Sequence, residues 1–309
     1  MVTSSESEVQ PLQIAAPVQN DEEIQQTYRA LLAWMDDPQA VQVRASFLTD
    51  TLENHLQAIA VAKAAVASRP AYTSTDPFPE LEQSDLLEAI KARPQMNIMV
   101  NGFTDWHFAM VDLREVLAFQ PVVRIDDLET RWSAFQECQE QVYEICFSTE
   151  RPIKFAQIQD ERGYTISSLN PNFSIGTVPL NLSQPIFLNV ANDPSLPPVQ
   201  LPVFPFVLVK NPNYLQVARY QGRHILRNGY HRAAGFLRQG IYMVPSVVVE
   251  AQTFEQIVPM AGMFSKEVVL GDHPPRLIDF WDDTVACTNL RPATRKTFRI
   301  SFEEITTPR

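Results

Sequence analysis

Apolar residues at Ile24, Tyr28, Leu31, Leu32 and Met35 recur at the spacing of one helical face, and this pattern predicts a helix from about Asp21. A second helical pattern runs from near Pro38 to about Ser68 and carries Val41, Phe47, Leu48, Leu52, Leu56, Ile59, Ala62 and Val66. Ser84 reads as the cap of a third, short helix with Leu86, Leu87 and Ile90, which ends before Pro94. Residues 21–95 are therefore expected to form an N-terminal helical segment. Residues 1–20 are polar and without period, and they read as a disordered lead.

The pattern changes at Asn97. Asn101-Gly102 stands between two β-prone runs, Ile98-Met-Val and Phe103 to Val111, and predicts a hairpin. A short helical turn is expected from Asp112 to Pro121. Asp126 with Glu129 suggests the capped start of a helix that carries Leu128, Trp132, Phe135, Val142 and Cys146. Lys154–Gln159 and Tyr164–Ser168 flank Asp-Glu-Arg-Gly as a second hairpin. The stretch from Asn170 to Pro205 holds eight prolines and allows only edge strands and extended connections. Phe206-Val-Leu-Val, Leu215–Tyr220 and His224–Arg227 read as strands, followed by a helix over about 230–239 and a strand over 244–250. The C-terminal residues offer a helical or irregular piece over 254–264, a polar stretch through Asp283, and a strand around Phe298, Ile300 and Phe302. Strands and helices in this mixed order predict an α+β fold.

Composition narrows the class. The chain has 309 residues, enough for a sizeable core, and no run of eighteen apolar residues. The first residues lack both a basic region and an apolar stretch, so no secretory signal is read and a cytoplasmic location is expected. Three cysteines, Cys138, Cys146 and Cys287, make no Cys-x-x-Cys pair and no disulfide framework, so they are expected to stay reduced. A net charge of −11 disfavours broad adhesion to nucleic acid, and without a long apolar run no membrane partner is expected.

One stretch opposes that balance. From Lys210 to Val249 there are six Lys or Arg, two His and no Asp or Glu, in a chain with 36 acids against 25 bases. Within it, Arg227-Asn228-Gly229-Tyr230-His231-Arg232 takes a strand into a helix. Asn-Gly permits a turn through positive φ, and a helix start presents unpaired N–H groups and the positive end of its dipole. Arg232 adds a planar fork for a phosphate, and His231 titrates near neutrality. An anion site follows, with Arg227, Asn228, Gly229, Tyr230, His231 and Arg232 as binding candidates. A solvated helix face behind a tight turn is the plainer alternative.

The run from Gly222 to Val249 resembles the core of the ParB/sulfiredoxin-like superfamily, in which a strand enters a Gly-x-x-Arg box at a helix start and a Gly-x-x-x-Val-Pro step leads to the next strand. Gly229-Tyr-His-Arg232 stands for the box and Gly240-Ile-Tyr-Met-Val-Pro245 for the step. A second, partial match is Val111 to Pro121, whose Gln120-Pro121 resembles the start of the family's Gln-Pro-Arg box, with Val122 where the Arg would be. The resemblance covers roughly a third of the chain. It implies a mixed sheet with flanking helices over 96–250, an insertion at about 122–205, and a C-terminal extension over 251–309 packed on the core. It also implies nucleotide-phosphate binding by the box.

The box has Tyr230 where sulfiredoxins keep Cys, which argues against sulfinic-acid reduction. The missing Arg at position 122, and the lack of a helix-turn-helix after Glu250, argue against a centromere clamp. Nucleotide triphosphate or diphosphate with Mg²⁺ is the cofactor the resemblance suggests. For phosphoryl transfer or hydrolysis the candidates are His231 with Asp112 and Glu115 beside the first box. Whether the protein is an enzyme stays open. A non-catalytic protein-interaction module with the N-terminal helices as its docking surface is one alternative, and DNA binding or nicking through the 210–238 patch is another. Asp272-His273 and Asp279 to Asp283 have metal-ligand residue types without a ligand spacing and read as a solvated loop, so no metal site is assigned. His55 and His107 read as structural.

Overall fold

The computed structural model describes residues 25–73, 76–126, 138–147, 156–160, 163–168, 173–177, 187–190, 199–202, 206–210, 214–257 and 263–301. It is a mixed α+β structure whose chain divides into two compact units. The larger holds the described residues from 25 to 147 and from 214 to 293; the smaller holds those from 156 to 210 and from 294 to 301. Strands of the larger unit are β1 (Gln25–Ala30), β2 (Trp106–Asp112) and β3 (Val122–Arg124). The smaller unit has β4 (Ala156–Asp160), β5 (Gly163–Ser168), β6 (Phe173–Thr177), β7 (Phe187–Val190), β8 (Val199–Pro202) and β9 (Phe206–Lys210). The larger unit continues with β10 (Gln216–Tyr220), β11 (Arg223–Asn228), β12 (Met243–Glu250) and β13 (Cys287–Pro292), and β14 (Lys296–Ser301) returns to the smaller.

A mixed sheet in the order β11-β10-β12-β2 forms the centre of the larger unit. β10 and β12 run parallel and the other pairs antiparallel. A strand buried on both faces is apolar almost throughout, and β12 shows it with Val244, Val247, Val248 and Val249 all buried. Two flanking segments extend the sheet. Residues 79–81 pair beyond β2, where Leu81 N donates to Phe108 O (2.9 Å), and Leu117 pairs beyond β11, donating to His224 O (2.8 Å). The helix Tyr230–Arg238 links β11 to β12 and buries Ala233, Ala234, Phe236 and Leu237. A second sheet, β13-β1-β3, is antiparallel throughout. In the smaller unit β4 and β5 form the expected hairpin around Asp160 to Gly163, and β14 pairs with β5. β6 pairs with β9, and β7 with β8.

Several N-terminal expectations change. Of the helix read from Asp21, residues 21–24 lie outside the described ones, and Gln25–Ala30 are instead β1, which lies between β13 and β3 and takes its backbone hydrogen bonds there. Its helical spacing loses to tertiary pairing. The single helix from Pro38 is two, Asp37–Ala45 and Leu52–Ala67, each with its own cap: Asp36 Oδ1 accepts from Gln39 N (2.8 Å) and Thr51 Oγ1 from Asn54 N (3.2 Å). The third helix, Asp85–Lys91, starts at Ser84 as read, with Leu87 N donating to Ser84 Oγ (3.3 Å). The Asn101-Gly102 hairpin is absent. Pro94–Val100 is a helix with Pro at its first position, and Gly102 at φ +88° follows its end.

Residues 112–121 make a turn and an extended run rather than a helical turn, and Lys266–Val269 is a short helix. Of the helix expected from Asp126, residues 127–137 lie outside the described ones, and Gln139–Phe147 is helical. Among the described residues no helix is long and apolar enough to cross a membrane.

Candidate functional site

The start of the Tyr230–Arg238 helix is built by glycine. Gly229 occupies the N-cap with φ +95°, and no side chain caps the helix there. A Cβ at this position would sit 3.0 Å from Leu215 Cα, so the turn also needs glycine for space. Asn228 Oδ1 accepts from Gly229 N (2.8 Å), which holds the turn from the strand side. His231 is exposed and Arg232 half-exposed on the first turn; Arg232 Nη1 lies 3.4 Å from Cys146 O.

Tyr230 faces the other way. Its phenol is buried, donates to Leu226 O (2.9 Å) and accepts from Phe119 N (2.9 Å) and Gln120 N (3.1 Å). The two segments that carried the sequence resemblance thus meet, joined by the residue that departs from it. Burial pushes the phenol up from its ordinary value, so it stays protonated. Tyr230 is therefore a structural pin rather than a ligand group. Tyr230→Phe is expected to cost about 2 kcal/mol, because a buried N–H group, that of Phe119, and a part-buried one, that of Gln120, lose their acceptor; urea denaturation measures it.

The catalytic candidates are not brought together. Asp112 pairs with Met243 across β2 and β12, whereas Asn228 shares a row with Gln216 and Val247. Four residues along β12 separate those rows, about 13 Å. Asp112 lies toward the far end of the helix from His231. Arg114 clamps it, with Nε to Oδ1 at 2.9 Å and Nη2 to Oδ2 at 2.6 Å. This pair holds the Asp112 carboxyl below its usual range, which makes it a poor base. Glu115 is half-buried in the adjoining turn, where its N–H donates to Asp112 O (3.0 Å).

Most of the basic run is used internally. Arg219 pairs with Glu250 at 3.4 Å. Arg223 donates to Val269 O and Gly271 O, both at 2.9 Å, and its guanidinium covers the Tyr72 ring at 4.8 Å. Arg227 donates to Gln216 Oε1 (2.6 Å) and Gln256 O (3.1 Å) over the Phe103 ring, so this binding candidate is a structural brace. Arg238 lies over Trp281 at 5.7 Å. Carbonyl and amide oxygens and aromatic faces take most of these arginines, and the carboxylate partner named here, Glu250, lies just past the run. His224 is buried against Phe78, ring centroids 4.2 Å apart, and burial holds its pKa down to about 4.

The acidic stretch read as a solvated loop is partly core. Asp279 is buried in the short 3₁₀ turn Leu277–Trp281, accepts from Arg276 N (2.8 Å) and pairs with Arg69 Nη1 at 2.9 Å, while Asp282 takes Arg69 Nη2 at 3.2 Å. A three-residue Asp-to-Asp spacing was visible in sequence; its partner, more than two hundred residues upstream, was not. Cys146 is buried and burial pushes its thiol up, while Cys138 is exposed and Cys287 half-buried. Among the described residues no group of three His, Cys, Asp or Glu side chains is placed to hold a metal ion. No family model, curated protein or solved structure matches the chain.

Proposed function

We propose that the protein binds a phosphate-bearing small ligand, with a nucleoside di- or triphosphate as the expected class, at the start of the Tyr230–Arg238 helix. The observation that carries this reading is the N-cap: a left-handed glycine with no side-chain cap, with exposed His231 and half-exposed Arg232 on the first turn that follows. The resemblance of Gly229-Tyr-His-Arg232 to the ParB/sulfiredoxin-like box supports the same ligand. Binding rather than phosphoryl transfer is proposed, because Asp112 is clamped by Arg114 and stands away from His231. The same clamp leaves Asp112 unsuited to holding Mg²⁺, so any Mg²⁺ would arrive on the ligand's own phosphates. A cytoplasmic protein that senses or stores such a ligand fits this site.

A thermal-shift series with ATP, ADP, CTP and GTP, with and without Mg²⁺, tests it. At a ligand concentration of 100 Kd the native state gains about 2.7 kcal/mol, and the melting temperature rises accordingly. Arg232→Ala is expected to weaken binding about tenfold or more while melting normally without ligand. A flat series with all four nucleotides sinks the proposal. Release of phosphate from ATP would instead restore a catalytic role.

A further inference from the structure

The hairpin of the Asp37–Ala45 and Leu52–Ala67 helices has more apolar faces than its own core uses. His55, Ile59, Ala62 and Val66 form the buried stripe of the second helix. Among the described residues nine large apolar side chains are exposed, and five of them, Phe47, Leu48, Leu52, Leu56 and Val61, belong to this one hairpin. A surface helix of an ordinary domain carries one apolar stripe; a second marks a surface that another element covers.

The relief of this surface has two parts. One is a groove of about 570 Å³ between the hairpin and residues 283–288, with Phe47, Leu48, Ala58 and Val61 on its walls and Arg44 beside Cys287. The other is the outer face of the second helix, where Leu52 and Leu56, one helical turn apart, are both exposed. The charges are complementary. Arg44 has Nε 3.4 Å from His55 Nδ1, and its two terminal nitrogens make no hydrogen bond or ion pair with a described residue. The neighbouring Arg29 is committed to Phe280 O and Asp283, both at 2.7 Å. Asp50, at the bend of the hairpin, accepts from Asn54 Nδ2 (2.6 Å) and Thr51 N (2.8 Å). Glu53 is exposed next to Leu52.

We propose that this hairpin is a self-association surface and that its occupant is a second copy of the chain. A two-fold contact seats the exposed Leu52–Leu56 pair of each copy in the groove of the other and sets Glu53 against the partner subunit's Arg44. The leucine pair and one wall of the groove belong to the same hairpin, so a single isologous contact covers both at once. Leucines at i and i+4 present one helix face to such a groove, and the neighbouring Glu53 matches the Arg44 guanidinium.

Sedimentation of the full chain over a wide concentration range tests the proposal. The wild type is expected to form a dimer, and Leu52→Glu/Leu56→Glu a monomer that melts like the wild type, since both leucines are exposed. Arg44→Glu is expected to weaken the dimer about tenfold, and Glu53→Arg in that background to restore it to within about threefold. A wild type that stays monomeric at every concentration overturns the proposal and points to an amphipathic helix of another protein. A folded Leu52→Glu/Leu56→Glu variant that still dimerises, or a double charge swap no tighter than Arg44→Glu, overturns it too.

Discussion

Gly229→Ala is expected to lower the free energy of unfolding by about 3 kcal/mol, while Gly102→Ala, the matched control, costs about 1 kcal/mol. Both glycines have strongly positive φ, +95° and +88°, so both substitutions force an L side chain into the left-handed region. They differ in space. At Gly102 nothing lies within 4 Å of the added carbon, whereas at Gly229 it meets Leu215 Cα at 3.0 Å, Cγ at 3.3 Å and Cβ at 3.4 Å. Leu215 cannot yield cheaply: it is fully buried, its N–H donates to Cys146 O (2.9 Å) and its carbonyl accepts from Val247 N (3.0 Å). The excess at position 229 is therefore the cost of moving a backbone segment between helix and sheet. Parallel urea titrations of the two variants measure the difference. Equal losses would mean that the turn at Gly229 relaxes, and that the helix start is less fixed than its packing requires.

That turn also shows what the sequence made legible and what it did not. The strand, glycine turn, helix and strand over 216–250 were readable because their signals are local: alternating apolar residues, Asn-Gly, then a helical stripe ending at Gly240. Ser84 and the β4–β5 hairpin were readable for the same reason. β1 was not, because Tyr28, Leu31 and Leu32 keep helical spacing and only pairing with Val122 and Cys287, far along the chain, makes the segment a strand. The candidate site was half legible. Position and backbone of the Gly229 cap followed from residue types, but the commitments of Arg227 to Gln216 and of Asp112 to Arg114 did not. A count of charges along the chain records how many arginines there are, not which carbonyl or ring each one meets.

The strongest case of a partner hidden from local reading supplies a second large effect. Arg69→Ala is expected to cost about 3 kcal/mol at neutral pH. Asp279 has a side chain only 5% exposed, and Arg69 is its cationic partner at 2.9 Å; truncation leaves the carboxylate buried with Arg276 N as its remaining close donor. Burial already raises the Asp279 carboxyl above its ordinary value despite Arg69, and loss of the guanidinium raises it further. The sign of the pH dependence follows. A carboxyl with a raised folded-state value binds a proton more readily folded than unfolded, so its contribution is most favourable in acid and is lost as pH rises through that value. The deficit of Arg69→Ala is therefore largest at neutral pH and shrinks toward acid, where Asp279 takes up a proton and no longer needs the cation. Asp279→Asn in the same background is expected to recover part of the loss at neutral pH, since the amide keeps an oxygen for Arg276 N without the charge. Denaturation of the three proteins at neutral and mildly acidic pH decides it. A deficit that does not change with pH would assign the effect of Arg69 to its packing over Trp34, 5.6 Å from the ring centroid, and not to the buried carboxylate.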